Sequence, residues 1–578
     1  MHPPAAHAGR AEREPQVGVV VIGYNDAAHV TAAVRSALAQ GPAVREVVAV
    51  DDCSTDDSAE LLARLAATEP RVKVVRRRVN SGGCGSPRNT GLDRVTSPYV
   101  MFLDSDDVLP PGAVDSLLAA AKEASAEVAG GLCVRRELPE GRTVPWQASL
   151  YAAHAVYERP SQRPRLVHDT LCVNKLYRTD FLRDHGIRFP EGRFPYEDFV
   201  FTARVLAAGP RIALVPNQVY VWHVRRSADR LSISLDRAGI TNWRARTEAC
   251  RLAYEILLGA GQKELARAAR GKFLDHELRM YVRELGLHDA EYQHTWWAHT
   301  RAYLAEYDAS DWAYHPTAPG RLIGRVVLAS PEPRDLPRLR DLAARPARLL
   351  PPYAHTPDGT PAWSADLPQV TLEPLLTRPV GLLPLAVDAE LRPRARAAHL
   401  RLRLHELYGR VAQAAPEALE VEWRCRETGR AAGPRTVGLT ASGGGADGAG
   451  EADGVWSAET TVCWTAFSGA PGVTGVSGVP RRSEVPGIAG VPGMPGTSTW
   501  DLRLRVRFRG GAYREVTAHA TTGAGLLRRR TVFSTRHAVV LVQPYATHSG
   551  ALALRVAPGL RGVTAVIRAR LHRLLHCH

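Results

Sequence analysis

The sequence predicts an α/β domain built on a parallel sheet, then a helical segment, then a β-sandwich-like carboxyl-terminal domain. Three observations predict it. From Val17 onward, apolar β-like runs alternate with helical patterns at the spacing of βα units. Polar and acidic residues gather where those runs end, which is where open sheets of this kind bind ligands. Beyond residue 369 the pattern changes to short strand-like runs separated by turn residues.

The first run, Val17 to Asn25, is followed by a helical pattern from Ala28 to Gln40. A second run, Glu46 to Asp52, leads into the Ser54-Thr55-Asp56-Asp57 cluster, whose short polar side chains suit a helix start. Arg71 to Arg76 and Tyr99 to Leu103 supply a third and a fourth strand. A helix past Pro111 to about Ser125 and a strand near Val128 to Val134 come next. The stretch 241–345 reads as helical, with Trp243, Leu252, Tyr254, Leu257, Phe273, Leu278, Tyr281 and Leu285 on an apolar face. Residues 346–368 form a Pro-rich linker. In 369–578, strands are expected at Val370 to Pro384, His399 to Leu404, Leu419 to Arg424, Trp500 to Phe508 and Val539 to Val542. The Gly/Pro-rich tract 443–499 reads as a disordered insertion, because it lacks a triple-helix period and the apolar surface to fold alone. Residues 1–16 read as disordered. The last stretch, Val563 to His578, reads as either an amphipathic tail or a packed helix.

A chain of 578 residues exceeds what one core supports, so two or three domains are expected. No apolar run is long enough to cross a bilayer, and Met1 to Pro15 lacks the apolar segment of a secretory signal. A cytoplasmic chain is therefore expected. The net charge of +15 is carried almost wholly by arginine, lysine occurring at Lys73, Lys122, Lys175, Lys263 and Lys272 alone. A basic surface would attract anionic membranes, giving peripheral contact with the inner face of the cell membrane, or polyanionic acceptors; genome composition would give the same skew. No nucleic-acid motif accompanies the charge. The eight cysteines contain no Cys-x-x-Cys pair, which argues against a zinc module or a disulfide scaffold.

Tyr99-Val-Met-Phe-Leu-Asp-Ser-Asp-Asp-Val108 ends a strand with three carboxylates, Asp104, Asp106 and Asp107. Carboxylates that close repel one another unless a cation intervenes. Mg2+ or Mn2+ is the natural choice, being held by oxygen ligands with positions left for substrate phosphates. The same pattern also occurs as a solvated turn. Asp51-Asp52 can accept hydrogen bonds from a nucleobase or ribose, or cap a helix. Ser81-Gly-Gly-Cys-Gly-Ser-Pro-Arg-Asn-Thr-Gly91 sets glycines, Arg88 and Asn89 at a helix start, which suits an anion such as a diphosphate; a plain glycine turn with a surface arginine is the alternative. Tyr196 and Phe199 would partly desolvate Glu197 and Asp198, raising a carboxylate toward the pKa of a general base; a helix cap is the alternative. The cluster after Tyr220, with His223, Arg225, Arg226, Arg230, Ser232 and Ser234, reads equally as a metal and phosphate shell or as a solvated basic loop.

Taken in order, Val-Ile-Gly-Tyr-Asn (21–25), Val-Asp-Asp-Cys-Ser-Thr-Asp (50–56), Gly-Ser-Pro-Arg-Asn-Thr-Gly (85–91), Leu-Asp-Ser-Asp-Asp (103–107), Asn-Lys-Leu-Tyr-Arg (174–178), Tyr-Glu-Asp (196–198) and the cluster after His223 resemble glycosyltransferase family 2. The resemblance covers residues 17–240. It implies a GT-A, Rossmann-like nucleotide-diphospho-sugar-binding domain and an inverting transfer from a nucleotide sugar, UDP being favoured by the resemblance alone. It further implies that Tyr24 and Asp52 contact the nucleobase, Arg88 the nucleotide, and Asp104 the nucleotide or sugar. Asp106 would be the principal ligand of Mn2+ or Mg2+, with Asp107 in support and His223 a further metal or diphosphate ligand. Asp198, beside Glu197, would be the catalytic base. The layout beyond residue 240 is similar to bacterial wall teichoic acid transferases, which implies a glycan or polyol-phosphate polymer acceptor and a homo-oligomer formed through the β-rich domain. A capsular or other cell-surface polysaccharide is the rival acceptor. A carbohydrate-binding protein without turnover is the rival class, against which Asp198 together with Asp104 and Asp106 speaks. One departure from the family is Ile22-Gly23, where a proline commonly stands two residues before Tyr-Asn.

Overall fold

A computed structural model describes residues 16–138, 142–225, 237–394, 397–426, 428–442, 454–467, 498–521, 530–534, 538–547 and 549–558. The chain forms two compact units: one runs to Phe273 and adds Tyr307–Tyr314, and the other comprises Leu274–Glu306 and the chain from His315.

The first unit is a mixed α/β sheet. Its elements are β1 (Val17–Gly23), α1 (Val30–Leu38), β2 (Val44–Asp51), α2 (Ser58–Thr68), β3 (Val72–Arg76), α3 (Gly85–Arg94), β4 (Tyr99–Asp104), α4 (Ala113–Glu123), β5 (Val128–Leu138), β6 (Arg142–Pro145), β7 (Ala155–Tyr157), β8 (Lys175–Arg178), α5 (Thr179–Asp184), α6 (Glu197–Ala207), β9 (Ile212–Arg225), α7 (Ile240–Gly259) and α8 (Lys263–Lys272). Strand order is β3-β2-β1-β4-β8-β5-β9-β7, with β6 on β5. β1, β2, β3 and β4 run parallel, as βα connections require. β8 enters antiparallel between β4 and β5. The Val-rich strands β1 and β2 are buried along almost their whole length, the mark of a sheet covered on both faces.

The expected strand and helix positions through residue 134 agree with these elements to within a few residues. Helices α7 and α8 do not stand apart from the sheet. Leu257, Leu265, Ala266 and Ala268 join its core, so the helical stretch is divided between the two units.

The second unit continues with α9 (Arg279–Leu285), α10 (Ala290–Leu304), α12 (Pro319–Ala329) and α13 (Leu336–Ala343), while the short α11 (Ala309–Ala313) belongs to the first. Residues 346–368 are packed rather than extended as a linker: Leu349, Ala362, Trp363 and Leu367 are buried, and the Trp363 indole donates to Asp335 at 2.8 Å. The strand expected at Val370 to Pro384 is instead a short helix, Glu373–Leu376, and a 3-10 turn, Val380–Leu382. Prolines 374, 379 and 384 fix φ and remove ladder donors there.

Two sheets follow. One holds Val387–Pro393, Ala397–His405, Thr440–Ser442, Val455–Cys463 and Ala518–Ala520. The other holds Pro416–Cys425, Ala431–Gly438, Ser498–Phe508, Tyr513–Val516, Arg530–Ser534, Ala538–Ala546 and Leu552–Pro558. Ala397–His405 alternates buried and half-buried positions, as a strand with one covered face does. Phe467 lies 5.1 Å from Trp500 and 5.8 Å from Trp423, ring centre to ring centre, against neighbouring strands of the second sheet. The tract read as one insertion at 443–499 is interrupted by the strand Val455–Cys463, which pairs with Ala397–His405; its β-branched residues supply that propensity. Residues 443–453 and 468–497 of that tract, most of 1–16, and 563–578 lie outside the described residues.

Candidate active site

The parallel strands end in a common rim. After β1 the chain passes through Asn25 at φ +50°, whose Oδ1 accepts from the Thr55 amide at 2.7 Å and whose amide donates to Ser54 Oγ at 2.9 Å. Gly23 allows a close approach here, because a Cβ would stand 2.9 Å from Ser105 Cβ. The Ile22-Gly23 departure thus brings the β1 turn against the acidic loop. Tyr24 is half-buried at this turn.

Asp52 follows β2 and is buried. Its Oδ2 accepts from Asn80 Nδ2 at 3.1 Å, the Ser81 amide at 3.0 Å and Ser81 Oγ at 2.8 Å, and Arg77 Nε lies 2.8 Å from Oδ1. In this arrangement Asp52 fixes the loop 77–81.

Arg88 is the centre of the site. It lies in the first turn of α3 and is 2% exposed. Gly85 seats that turn, since a Cβ would fall 2.0 Å from the Pro190 carbonyl oxygen. Nη2 donates to Asp104 Oδ1 at 2.7 Å, Nη1 to Glu197 Oε1 at 2.5 Å, and Asp198 Oδ1 stands 3.8 Å from Nη1. The guanidinium carbon is 5.3 Å from the centre of the Phe189 ring. Arg88, expected at the nucleotide, therefore ties the end of β4 to the start of α6. Burial opposes its charge, and Asp104 and Glu197 are among the groups that outweigh it.

Burial, then the Asp198 charge, pushes Glu197 up, with Arg88 opposing. Burial also pushes Asp198 up, again against Arg88. Such a pair titrates jointly. Tyr196 and Phe199 flank the two acids as the sequence predicts, and are held from α7 and α8. Arg246 lies 4.4 Å from the Tyr196 ring centre, Lys272 Nζ lies 4.1 Å from that of Phe199, and the Tyr196 hydroxyl donates to Asn242 Oδ1 at 2.7 Å.

The acidic loop divides its work. Asp107 is buried, its Oδ2 accepting from the Tyr220 hydroxyl and its Oδ1 from the His223 amide, both at 2.7 Å. What it holds is the end of β9. Asp106 keeps 40% of its side chain exposed and accepts from Arg225 Nη1 at 3.0 Å. Burial, then the Asp104 charge, pushes Asp106 up to about 6. His223 Nδ1 lies 3.0 Å from the Asp106 carbonyl oxygen, and burial lowers its pKa, leaving a neutral imidazole at pH 7. Among the described residues no three His, Cys, Asp or Glu side chains stand close enough to hold an ion unaided. Asp106 beside a neutral imidazole still suits a hard cation that draws its other ligands from substrate phosphates, and the raised Asp106 is the carboxylate such a charge would relieve.

The structure thus brings together Asp104, Asp106, Asp107, Arg88, Glu197, Asp198, His223 and Arg225. Arg226, Arg230, Ser232 and Ser234 lie outside the described residues. Sequence reasoning missed Tyr220, which also accepts from the Asp104 amide at 3.2 Å, and Asp26, which accepts from Ser105 Oγ at 2.7 Å. It also missed Asp169, buried and bonded to Asn174 Nδ2 and Lys175 Nζ, each at 2.9 Å. Only the last left a signal, through the motif Asn174 to Arg178.

The family model "Glycosyl transferase family 2" matches residues 18–186. The chain is 31% identical over 277 residues to the succinoglycan biosynthesis protein ExoO of Rhizobium meliloti, covering 47% of this chain and 76% of that protein. It is 32% identical over 216 residues to the poly(ribitol-phosphate) beta-N-acetylglucosaminyltransferase TarS of Staphylococcus aureus, covering 37% of this chain and only 36% of TarS. Among solved structures, S. aureus TarS 1-349 in complex with UDP-GlcNAc aligns with a TM-score of 0.47 at 22% identity, over 60% of this chain and 96% of that one. By its match to the family model and to most of the length of ExoO, the chain belongs to glycosyltransferase family 2.

Proposed function

We propose that this glycosyltransferase moves a hexosyl group, with inversion, from a UDP-sugar to a hydroxyl of a teichoic-acid-like cell-envelope polymer, and that residues 17–240 carry the chemistry. The observation that carries this reading is the gathering of Asp104, Glu197 and Asp198 around Arg88 at the carboxyl ends of the parallel strands, where α/β sheets bind ligands. Asp198 takes the proton of the acceptor hydroxyl as that oxygen attacks the anomeric carbon. Arg88 keeps the base beside Asp104, and Arg225, at the acidic rim, faces the departing diphosphate. Asp106 and His223, with Asp107 behind them, would hold Mn2+ or Mg2+, which when bound would offset charge on that leaving group. Tyr24 and Asp52 line the nucleoside side.

The acceptor is supported by the activities of TarS and of a poly(ribitol-phosphate) beta-glucosyltransferase from Bacillus spizizenii, 28% identical over 193 residues. A second reading, transfer onto an exopolysaccharide intermediate, is favoured by the 76% coverage of ExoO. We further propose self-association through the β-rich strands and peripheral membrane contact. Among the described residues no helix is long and apolar enough to cross a membrane.

The deciding experiment is a thermal-shift screen of nucleotide sugars with Mn2+, followed by product analysis on ribitol-phosphate polymer and on a lipid-linked oligosaccharide. A true donor at 100 times its Kd stabilises by about 2.7 kcal/mol, a shift of several degrees. No shift with any UDP-sugar would overturn the donor reading, and the product distinguishes the acceptors.

A further inference from the structure

The motif Asn174 to Arg178 opens onto a network in the first unit that the proposed chemistry leaves unused. Asp169, 1% exposed, gathers four donors on one carboxylate. Its Oδ2 accepts from Asn174 Nδ2 and Lys175 Nζ, each at 2.9 Å, and from the Tyr151 hydroxyl, while Oδ1 accepts from Trp146 Nε1 at 3.0 Å. Burial opposes the charge of Asp169, and Lys175 with these bonds outweighs it, holding the carboxyl below its ordinary value. Lys175 Nζ also donates to the Leu171 carbonyl at 2.5 Å and to Asn174 Oδ1 at 3.0 Å. A buried network satisfied in this way is rigid.

Trp146 carries that rigidity to β9. Its ring stands edge-on to that of Trp222, centres 6.1 Å apart at 79°, an arrangement that aromatic pairs favour. The main chain sets the two indoles on opposite edges of β5. The Trp146 amide donates to the Cys133 carbonyl at 2.9 Å beside the β5–β6 pairing of Val134 with Pro145, whereas Trp222 of β9 pairs with Arg135.

Trp222 lies four residues from the end of β9, in the segment that meets the acidic rim. Val221 exchanges backbone bonds with Val108 at 3.0 and 3.3 Å, the His223 amide donates to Asp107 Oδ1 at 2.7 Å, and Arg225 Nη1 donates to Asp106 Oδ2 at 3.0 Å. Tyr220 precedes Trp222 by two residues and shares its face of the strand, and its hydroxyl donates to Asp107 Oδ2 at 2.7 Å. Element ends open locally unless tertiary contacts tie them. The indole pair is such a tie.

We propose that Asp169 is a positioning residue of the transferase: by holding Trp146 against Trp222, it fixes the end of β9 that presents Tyr220, His223 and Arg225 to Asp106 and Asp107.

Hydrogen exchange on the full chain tests this clamp without any ligand. Trp146→Phe keeps a ring beside Trp222 and loses the indole N–H, and it should speed exchange of the 219–225 amides roughly tenfold, the order of one hydrogen bond to a charged group. Amides of β1 and β2 should exchange as in wild type. Asp169→Asn should do at least as much, and the two substitutions together no more than Asp169→Asn alone, because both break one contact. Calorimetry with UDP and Mn2+, the arm that rests on the proposed function, reads the consequence. UDP affinity should fall in Trp146→Phe by a similar factor while uridine affinity stays that of wild type, since the diphosphate end alone is loosened. Unchanged exchange at 219–225 in Trp146→Phe overturns the clamp even if Asp169→Asn fails to fold. Faster exchange at wild-type UDP affinity overturns its part in the reaction. Absence of UDP binding by wild type defeats the donor reading instead, and the exchange rates still decide the clamp.

Discussion

Replacing Arg88 with methionine removes one buried cation from among three carboxylates while preserving much of the side-chain volume. Nη1 and Nη2 lie 2.5 Å from Glu197 and 2.7 Å from Asp104, and the side chain is 3% exposed. Deleting one partner of a buried pair typically costs about 3–5 kcal/mol, because the other charge is left stranded. The loss should depend on pH. Glu197 and Asp198 already have folded pKa values above their unfolded ones. A raised carboxylate favours folding at low pH, and that contribution is lost as pH rises from the unfolded toward the folded value. A cation within about 4 Å lowers a carboxylate by roughly 1–3 units, so removing Arg88 raises the pair further by about that much. Because Glu197 is already pushed up to about 8, the extra shift shows only above that pH, and at 1.36 kcal/mol per unit the deficit at pH 9 should exceed that at pH 6 by about 1–1.4 kcal/mol. Urea unfolding at the two pH values measures this. Adding Glu197→Gln to the methionine variant should recover part of the deficit at pH 9, as expected for groups in contact. A deficit equal at both pH values, and untouched by the second substitution, would refute the view that Arg88 acts by balancing these acids. A loss of nucleotide affinity at unchanged stability would return Arg88 to a direct nucleotide contact.

Asp198→Asn should lower transfer by about 10²- to 10⁴-fold with nucleotide affinity near wild type; equal loss of both would make Asp198 a ligand or a fold residue. Asp106→Ala should abolish the Mn2+-dependent part of UDP binding in calorimetry, and unchanged affinity would remove it from the metal site. Gly23→Ala puts a Cβ 2.9 Å from Ser105 Cβ and should destabilise by about 1–3 kcal/mol as overpacking does. Ser105→Gly in the same chain should restore most of that, and no recovery would place the strain elsewhere.

The parallel half of the sheet was legible because it is written locally. Val17 to Ile22 and Val47 to Val50 are continuous apolar runs, and each ends in polar residues where the strand ends. The rim was legible for the same reason, since Asp52, Asp104 and Asp106 each follow such a run. What joins them was not. Arg88 meets Glu197 across 109 residues of chain and Tyr220 meets Asp107 across 113, and no single-sequence period records such a pairing. The β-rich part was half legible. Ala397–His405 alternates plainly, whereas Val387–Pro393 and Leu552–Pro558 are short and carry prolines at their ends. Val370 to Pro384 misled because its leucines suit a strand, helical turn or 3-10 turn alike, and the prolines decided.

For the proposed transfer two adjacent acids are candidates for the base, and their surroundings differ. Glu197 bonds Arg88 at 2.5 Å and its side chain is 6% exposed. Asp198 stands 3.8 Å from the same nitrogen and is 23% exposed. A base must reach a hydroxyl arriving from solvent, which the more open carboxylate can do. It must also be ionised when that hydroxyl arrives, which a partner that takes up the shared proton favours. Glu197, more deeply buried and pushed upward by Asp198, is the group that holds a proton near neutrality, so its place is behind the base. Arg88 fixes this division from one side, and the Tyr196 and Phe199 rings, gripped by Arg246 and Lys272, fix it from the other. In the proposed transfer, the helices after the sheet would serve the base by holding those two rings.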